Sequence, residues 1–542
     1  MRSDRQTLVD HMQFRHWMPN INLIPWIWGL ALSTILTGRM VLADFSLTDD
    51  HWAVFWLGET GRLPFSKIWS TLLATEVGTL GLGGRFRPVY FLHRELEAWV
   101  FGDHPSIYHA LRILYFGFFL SATCRIAIRC IGLVPALVVV TLATGLGFWS
   151  DLWGFSLGMS EQQAFLGISL FMIACDAIVP RFVSGEHIPP WALPVASLGT
   201  AIAAGSKENF IFLLAILGAI AIALAVTRRL HIAAAIFAVP PLAVPALVLY
   251  ALASYAGNTV DFYGADNSVA HRLAEMLNWR EVLARPLFVP FMFAATLLAI
   301  PLAWLGYRRS SLPRPQCGRA TLVFIGFIGL LAAYTLWELF FYNGRLPSGI
   351  RFDFPILLLP PSVALGFAAF IRYALLPGGG LRWRSVQVAF MALAVLCLAY
   401  FQLPFSLPRV VQAAVQRTTA LRHDFNVMRM TTSLHPDWPI VLEPSRPLDY
   451  EVAATFHEWA KFFGISNPIM LRVEVTSKDL TKFEQWLVGQ MQQWGMVGKN
   501  GSVQPLPDPA ALEKLNEHCF AVEFWRPIVS PCVRLDFERS RY

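Results

Sequence analysis

Charge is what this chain has least of. Of its 542 residues only 15% are charged, whereas 55% are hydrophobic, and its mean hydropathy is positive. A water-soluble domain of this length rarely reads so, because several runs approach the ~20 residues a spanning helix needs. Other signatures are missing as well. There is no phosphate-cradling Gly-rich loop ending in Lys-Ser or Lys-Thr, no dinucleotide fingerprint, no Ser-His-Asp set and no His-Glu-x-x-His. These absences turn the reading away from nucleotide hydrolysis, nicotinamide chemistry, serine hydrolysis and zinc proteolysis. No repeat and no low-complexity segment is visible. The seven cysteines have no metal-type spacing. Cys124, Cys130, Cys175, Cys317 and Cys397 lie in or beside apolar runs, as small buried side chains. Cys519 and Cys532 lie in the tail and can pair if the tail is outside the cytoplasm. The odd total leaves at least one free thiol. The net charge of +7 is not a nucleic-acid footprint, because much of the arginine falls in short turns.

What is present is a series of apolar spans. The first covers about 20–42, behind a polar start with Arg2, Arg5 and Arg15. Its core is longer than the 7–15 residues of a signal peptide, so it reads as an uncleaved helix. Further spans fall at about 107–123, 132–149, 161–179, 190–205, 209–226, 232–253, 286–306, 320–341, 354–372 and 386–403, about eleven in all. With the N-terminus in the cytoplasm every inner turn is basic: Arg125 and Arg129, Arg181, Arg228 and Arg229, Arg308 and Arg309, Arg382 and Arg384. The positive-inside rule therefore fits. The fold expected is mainly α. A membrane domain of about eleven helices covers 1–403, with interfacial helices in a first outer loop at 44–106. A small C-terminal α/β domain covers 404–542, outside the inner (plasma) membrane. In that tail 439–442, 469–473 and 520–522 read as strands, while 450–463 and 478–494 read as helices.

The first outer loop carries the chemistry. It opens with Ser46-Leu47-Thr48-Asp49-Asp50-His51-Trp52, and Thr48 is placed to cap a helix beginning at Asp49. Neighbouring side chains on a helix diverge by about 100°, so Asp49 and Asp50 cannot both address one small target. One can accept a proton while the other orients it or binds a cation. The alternative is that both merely complement the helix dipole. Arg85 and Arg87 flank Phe86 in a Gly-rich turn. Their planar guanidinium forks suit phosphate, and lipid headgroups equally. The helix from Tyr90 to Phe101 is amphipathic and reads as lying along the membrane interface. Lys207 and Glu208 sit between two apolar spans, where either an ion pair or a phosphate contact accounts for them. Arg345, and Arg351 in Arg351-Phe352-Asp353-Phe354-Pro355, fall on the outer side against the usual bias and are candidates for a phosphate clamp. No metal motif stands out, and the first loop has no Asp-x-Asp. Its acids offer oxygen ligands of the kind Mg²⁺ or Mn²⁺ accepts.

At these residues the chain resembles the GT-C superfamily of integral-membrane glycosyltransferases, of the bacterial, polyprenyl-phosphate-sugar-dependent type. The likeness lies in one span followed by a long outer loop opening on an acidic pair. It also lies in Arg87-Pro88, Trp99, Phe101-Gly102, Pro105, Tyr108-His109 and Leu114 leading into the second span. Ser206-Lys207-Glu208-Asn209 is similar to another short motif of the superfamily. Arg351-Phe352-Asp353-Phe354-Pro355 is similar to its Arg-Tyr motif, with Phe352 in the Tyr position. The layout match covers about 20–403, and the residue matches are short patches within it. The resemblance implies transfer of a sugar from a polyprenyl phosphate to a glycan, lipid or protein acceptor on the outer face, with inversion. Asp49 or Asp50 would be the base, and Arg87, Lys207 and Arg351 would contact phosphate or donor.

Two other classes compete. A lipid or glycan transporter, or flippase, usually shows repeats and charges within its spans; here the spans are poor in charge. A non-catalytic envelope-glycan assembly protein would use the tail as its binding module. Nucleic acid is not an expected partner; membrane lipids are.

Overall fold

The computed structural model describes residues 23–255 apart from 48–49, 79, 81–85, 132, 145–147, 155–156 and 158. In the tail it describes 407–443, 449–472, 504–506, 518–523 and 532–535, and elsewhere only 270, 273–274 and 318. Asp49, Arg85, Arg345 and Arg351 lie outside the described residues. So do most of 255–285, the spans expected between 286 and 403, and the tail helix expected at 478–494.

The described chain is mostly helical. The first helix, α1 (Ile24–Thr37), continues as a 3-10 turn at Gly38–Leu42. The segment 44–106, expected from sequence as a first outer loop and called the outer loop below, holds α2 (His51–Leu57), α3 (Ile68–Leu73) and α4 (Pro88–Phe101). Then come α5 (Pro105–Ile131), α6 (Leu133–Ala143), α7 (Phe148–Gly154), α8 (Ser160–Ser184), α9 (Ala192–Ser206), α10 (Phe212–Val226), α11 (Ile232–Ala238) and α12 (Ala243–Tyr255). Among the described residues, five helices are long and apolar enough to cross a membrane: Ile24–Leu42, Pro105–Arg129, Ser160–Ser184, Glu208–Val226 and Ile232–Ser254. These are compatible with a membrane protein. Ala192–Ser206 is apolar but shorter.

One expected span differs. In place of a single helix over 132–149 there are α6, of 11 residues, and the separate α7. Eleven residues rise only ~16 Å, less than a bilayer core requires.

Close packing in the bundle depends on small residues, which let helix backbones approach where lipid gives no hydrophobic drive. A Cβ on Gly167 of α8 would lie 2.4 Å from the Ala203 nitrogen, and one on Gly199 of α9 would lie 2.6 Å from the Gly167 oxygen. At one end of α5 and α8, Asp176 accepts from Nε of both Arg125 and Arg129 at 2.6 Å.

The tail begins with α13 (Leu407–Thr432) and continues through β1 (Ile440–Glu443), α14 (Asp449–Phe462), β2 (Ile469–Arg472), β3 (Gln504–Leu506), β4 (Phe520–Glu523) and β5 (Val533–Leu535). All described strand pairs are parallel, in the order β3-β2-β1-β4-β5. Such a sheet is covered on both faces, and Ile440, Val441 and Leu442 are all buried. Ile440 and Leu442 belong to the core shared with α13 and α14, while Val441 packs with Cys519, Ala521 and Cys532 on the other side. Cys519 and Cys532 are disulfide-bonded.

The outer loop and the tail share one core. Phe45, Trp56 and Phe91 of the first are in the same apolar cluster as Phe425, Phe456 and Trp459 of the second. Arg422 of α13 bonds Asp44 at 2.8 Å and Asp103 at 2.9 Å. These acids stand at the two ends of the outer loop, so one tail side chain ties its neck. Arg417 also donates to the Gly154 carbonyl.

Candidate functional site

The site is built around α4. Arg87 is its N-cap residue, Pro88 its first residue, and Gly102 ends it with a φ of +56°. Only glycine suits that backbone, and a Cβ there would lie 2.7 Å from the Gly61 oxygen. The polarity of α4 runs against a simple surface helix. Arg94, Glu95 and Glu97 are buried, whereas Leu92 is 39% exposed and Leu96, Trp99 and Val100 are exposed beside it. The charged face therefore turns into the protein and the apolar face outward. Phe65 and Trp69 extend that outer face, with the Phe65 and Trp99 rings 4.9 Å apart. This is the polarity of a helix lying at a lipid interface.

Two of the inward charges, Arg94 and Glu97, are paired. Arg94 donates from Nη2 to Asp50 Oδ1 and from Nη1 to the Leu157 carbonyl, each at 3.2 Å. Asp50 is completely buried, and its Oδ2 accepts the Ser46 N–H at 2.9 Å. The helix expected to start at Asp49 starts instead at His51, with Asp50 at the N-cap making no side-chain cap bond. The reason is that the Asp50 carboxylate serves Arg94 and the Ser46 amide. A turn farther along α4, Glu97 accepts two 2.6 Å hydrogen bonds from Arg112 of α5. Burial alone would raise the Glu97 carboxyl, but Arg112 and His93 overcome it and hold it down at about 2. His93 reaches Tyr115 at 2.8 Å and Gln163 of α8 at 2.7 Å.

Arg87 lies ~10 Å along α4 from Arg94. Its backbone N–H, Nε and Nη2 bond the Glu76 carboxylate at 2.9, 3.0 and 3.1 Å. Burial works against the guanidinium charge, but Glu76 and Glu208 more than offset it, so Arg87 stays firmly protonated. Just beyond it, Val89 fills the notch at Gly205, where a Cβ would lie 2.4 Å from its Cγ2. This contact seats the start of α4 on the end of α9. Lys207 follows α9 in an extended conformation, and its Nζ pairs with Glu161 Oε1 of α8 at 3.2 Å. Glu208 is buried, and among the described residues its Oε2 has no hydrogen-bond partner. The same holds for Ser206 Oγ.

Of the candidates named from sequence, Arg87, Lys207 and Glu208 thus share one neighbourhood at the junction of the outer loop with α8 and α9. Asp50 belongs to a second one, centred on Arg94. Both cations already hold carboxylate partners. The acids Glu76, Glu97 and Glu161 were not among the sequence candidates, nor was Arg94. The signal for Arg94 and Glu97 was three charges on one short helix whose apolar side was assigned to the interface. In the structure those charges face protein rather than water. Among the described residues no three His, Cys, Asp or Glu side chains converge as a metal site. No family model and no curated protein matches this chain.

Proposed function

We propose that this chain is an integral-membrane glycosyltransferase of the GT-C kind. It moves a sugar from a polyprenyl phosphate to a glycan, lipid or protein acceptor on the extracytoplasmic face, with the N-terminus cytoplasmic and the tail outside. The observation that carries the reading is the incompletely satisfied polar cluster at Ser206-Lys207-Glu208. Two buried oxygens without partners among the described residues lie beside a lysine and within the field of Arg87. Buried polar atoms are nearly always hydrogen-bonded in native proteins, so a carboxylate oxygen and a hydroxyl left over here call for a ligand that donates hydrogen bonds, as a sugar hydroxyl does.

In this mechanism the acceptor hydroxyl attacks the anomeric carbon. The bond from that carbon to the phosphate oxygen breaks, and its electron pair leaves with polyprenyl phosphate. The hydroxyl proton passes to a carboxylate, and the single displacement inverts the centre. Both Asp50 oxygens are engaged, so Asp50 positions the start of the loop and Asp49 takes the proton. Arg87 and Lys207, fixed by Glu76 and Glu161, stabilise charge on the leaving phosphate; Arg345 and Arg351 assist. Among the described residues no three His, Cys, Asp or Glu side chains group as a site for Mg²⁺ or Mn²⁺.

Replacing Asp49 with Asn tests the assignment. Sugar transfer should fall at least a hundredfold with expression and folding unchanged. Undiminished transfer by the Asp49→Asn, Asp50→Asn double variant would remove the base.

A further inference from the structure

Glu95 has no part in this mechanism, yet it is the least satisfied acid among the described residues. It is 0% exposed, and neither of its oxygens has a hydrogen-bond partner among the described residues. Helical spacing puts Phe91, Glu95 and Ala98 on one flank of α4. Trp52 and Trp56 of α2 pack on Phe91 at 5.8 and 6.3 Å, and the Leu63 N–H donates to the Ala98 carbonyl at 3.3 Å. The Trp56 indole N–H is likewise buried with no partner among the described residues. Nearby charges are committed elsewhere, Arg94 to Asp50 and Glu97 to Arg112.

The α2–α4 contact thus sets aromatic rings beside the flank of α4 that carries Glu95, an acid with an unspent carboxyl, while Trp56 on α2 has an unspent N–H donor. Burial pushes that carboxyl up to about 8, so near neutral pH it is a carboxylic acid that both donates and accepts. A ligand that would use all three offers hydroxyls around an apolar ring face, as a sugar does. A phosphate would not, because this contact offers it no free cation.

We propose that Glu95 and Trp56 form the subsite for the hydroxyl groups of the transferred sugar, with α2 parting from α4 to admit it. This rests on the transferase reading, and the test separates the two. Affinity is measured on the purified full chain for undecaprenyl phosphate alone, and for undecaprenyl phosphate linked to glucose, mannose, galactose or arabinose. The parent protein should bind one linked sugar about tenfold more tightly than the phosphate alone. Glu95→Leu should lose that tenfold and keep its affinity for the phosphate. Trp56→Phe keeps the ring but not the N–H; it should lose about threefold, and it serves if Glu95→Leu does not fold. If both variants bind the linked sugar as the parent does, the subsite is wrong and the transferase reading stands. If no linked sugar gains over phosphate in the parent, the transferase reading fails and the subsite with it.

Discussion

Glu95 also makes a prediction about stability that needs no substrate. In the folded protein its carboxyl is raised from 4.5 to about 8 by burial. The folded state therefore holds this proton more tightly than the unfolded chain does. Between those two pH values the unfolded state carries fewer protons, so stability falls as pH rises, and the loss is complete above about 8. The span corresponds to ~5 kcal/mol at most. Glu95→Gln keeps the shape and cannot ionise. Purified parent and variant should unfold at similar temperatures near pH 4.5 and diverge steadily up to pH 9, with the variant the more stable. Parallel curves across that range would refute the reasoning, since they would mean that Glu95 is neutralised by a partner or solvated.

Other perturbations follow from the same geometry. Arg94→Met removes the cation paired with the buried Asp50 carboxylate and should cost ~3–5 kcal/mol, as breaking a buried pair does; loss of less than ~1 kcal/mol in denaturant unfolding would show the pair to be solvated. Trp69, 68% exposed, and Trp99 on the outer face of α4 should be quenched by lipids brominated near the headgroup in reconstituted vesicles, and unchanged fluorescence would place that face in water. Cys519 and Cys532, closing a separation of 13 residues, should resist alkylation until reduced, and their joint replacement by Ser should cost ~3 kcal/mol. Labelling without reductant would contradict an oxidised tail.

The parts of the fold that sequence made legible are those where a period or a stop signal is local. The tail strands at 440–443, 469–472 and 520–523 and the helix Asp449–Phe462 follow the apolar patterns read from sequence, and Gly464 supplied the helix stop. The strands Gln504–Leu506 and Val533–Leu535 were missed because three residues carry no period. The end of α6 at Ala143 was missed because a hydropathy window averages across helix ends. In the site, Arg87, Lys207 and Glu208 were legible as charges beside apolar runs. Their partners Glu76 and Glu161 were not, since Glu76 reaches Arg87 across a turn of 11 residues with no periodic signal and Glu161 meets Lys207 only through the packing of α8 on α9. Asp50 was legible as an acid but not in its role, because Arg94 is recognisable as its partner only once α4 turns its charges inward.

The most direct test of the central claim is chemical. Purified protein is incubated with polyprenyl-phosphate-linked sugars and a membrane extract as acceptor source, and free polyprenyl phosphate is measured over time. The account predicts release with one linked sugar, abolished by Asp49→Asn and reduced at least tenfold by Lys207→Met. Release that persists at the parental rate in both variants, or no release with any sugar, would contradict it.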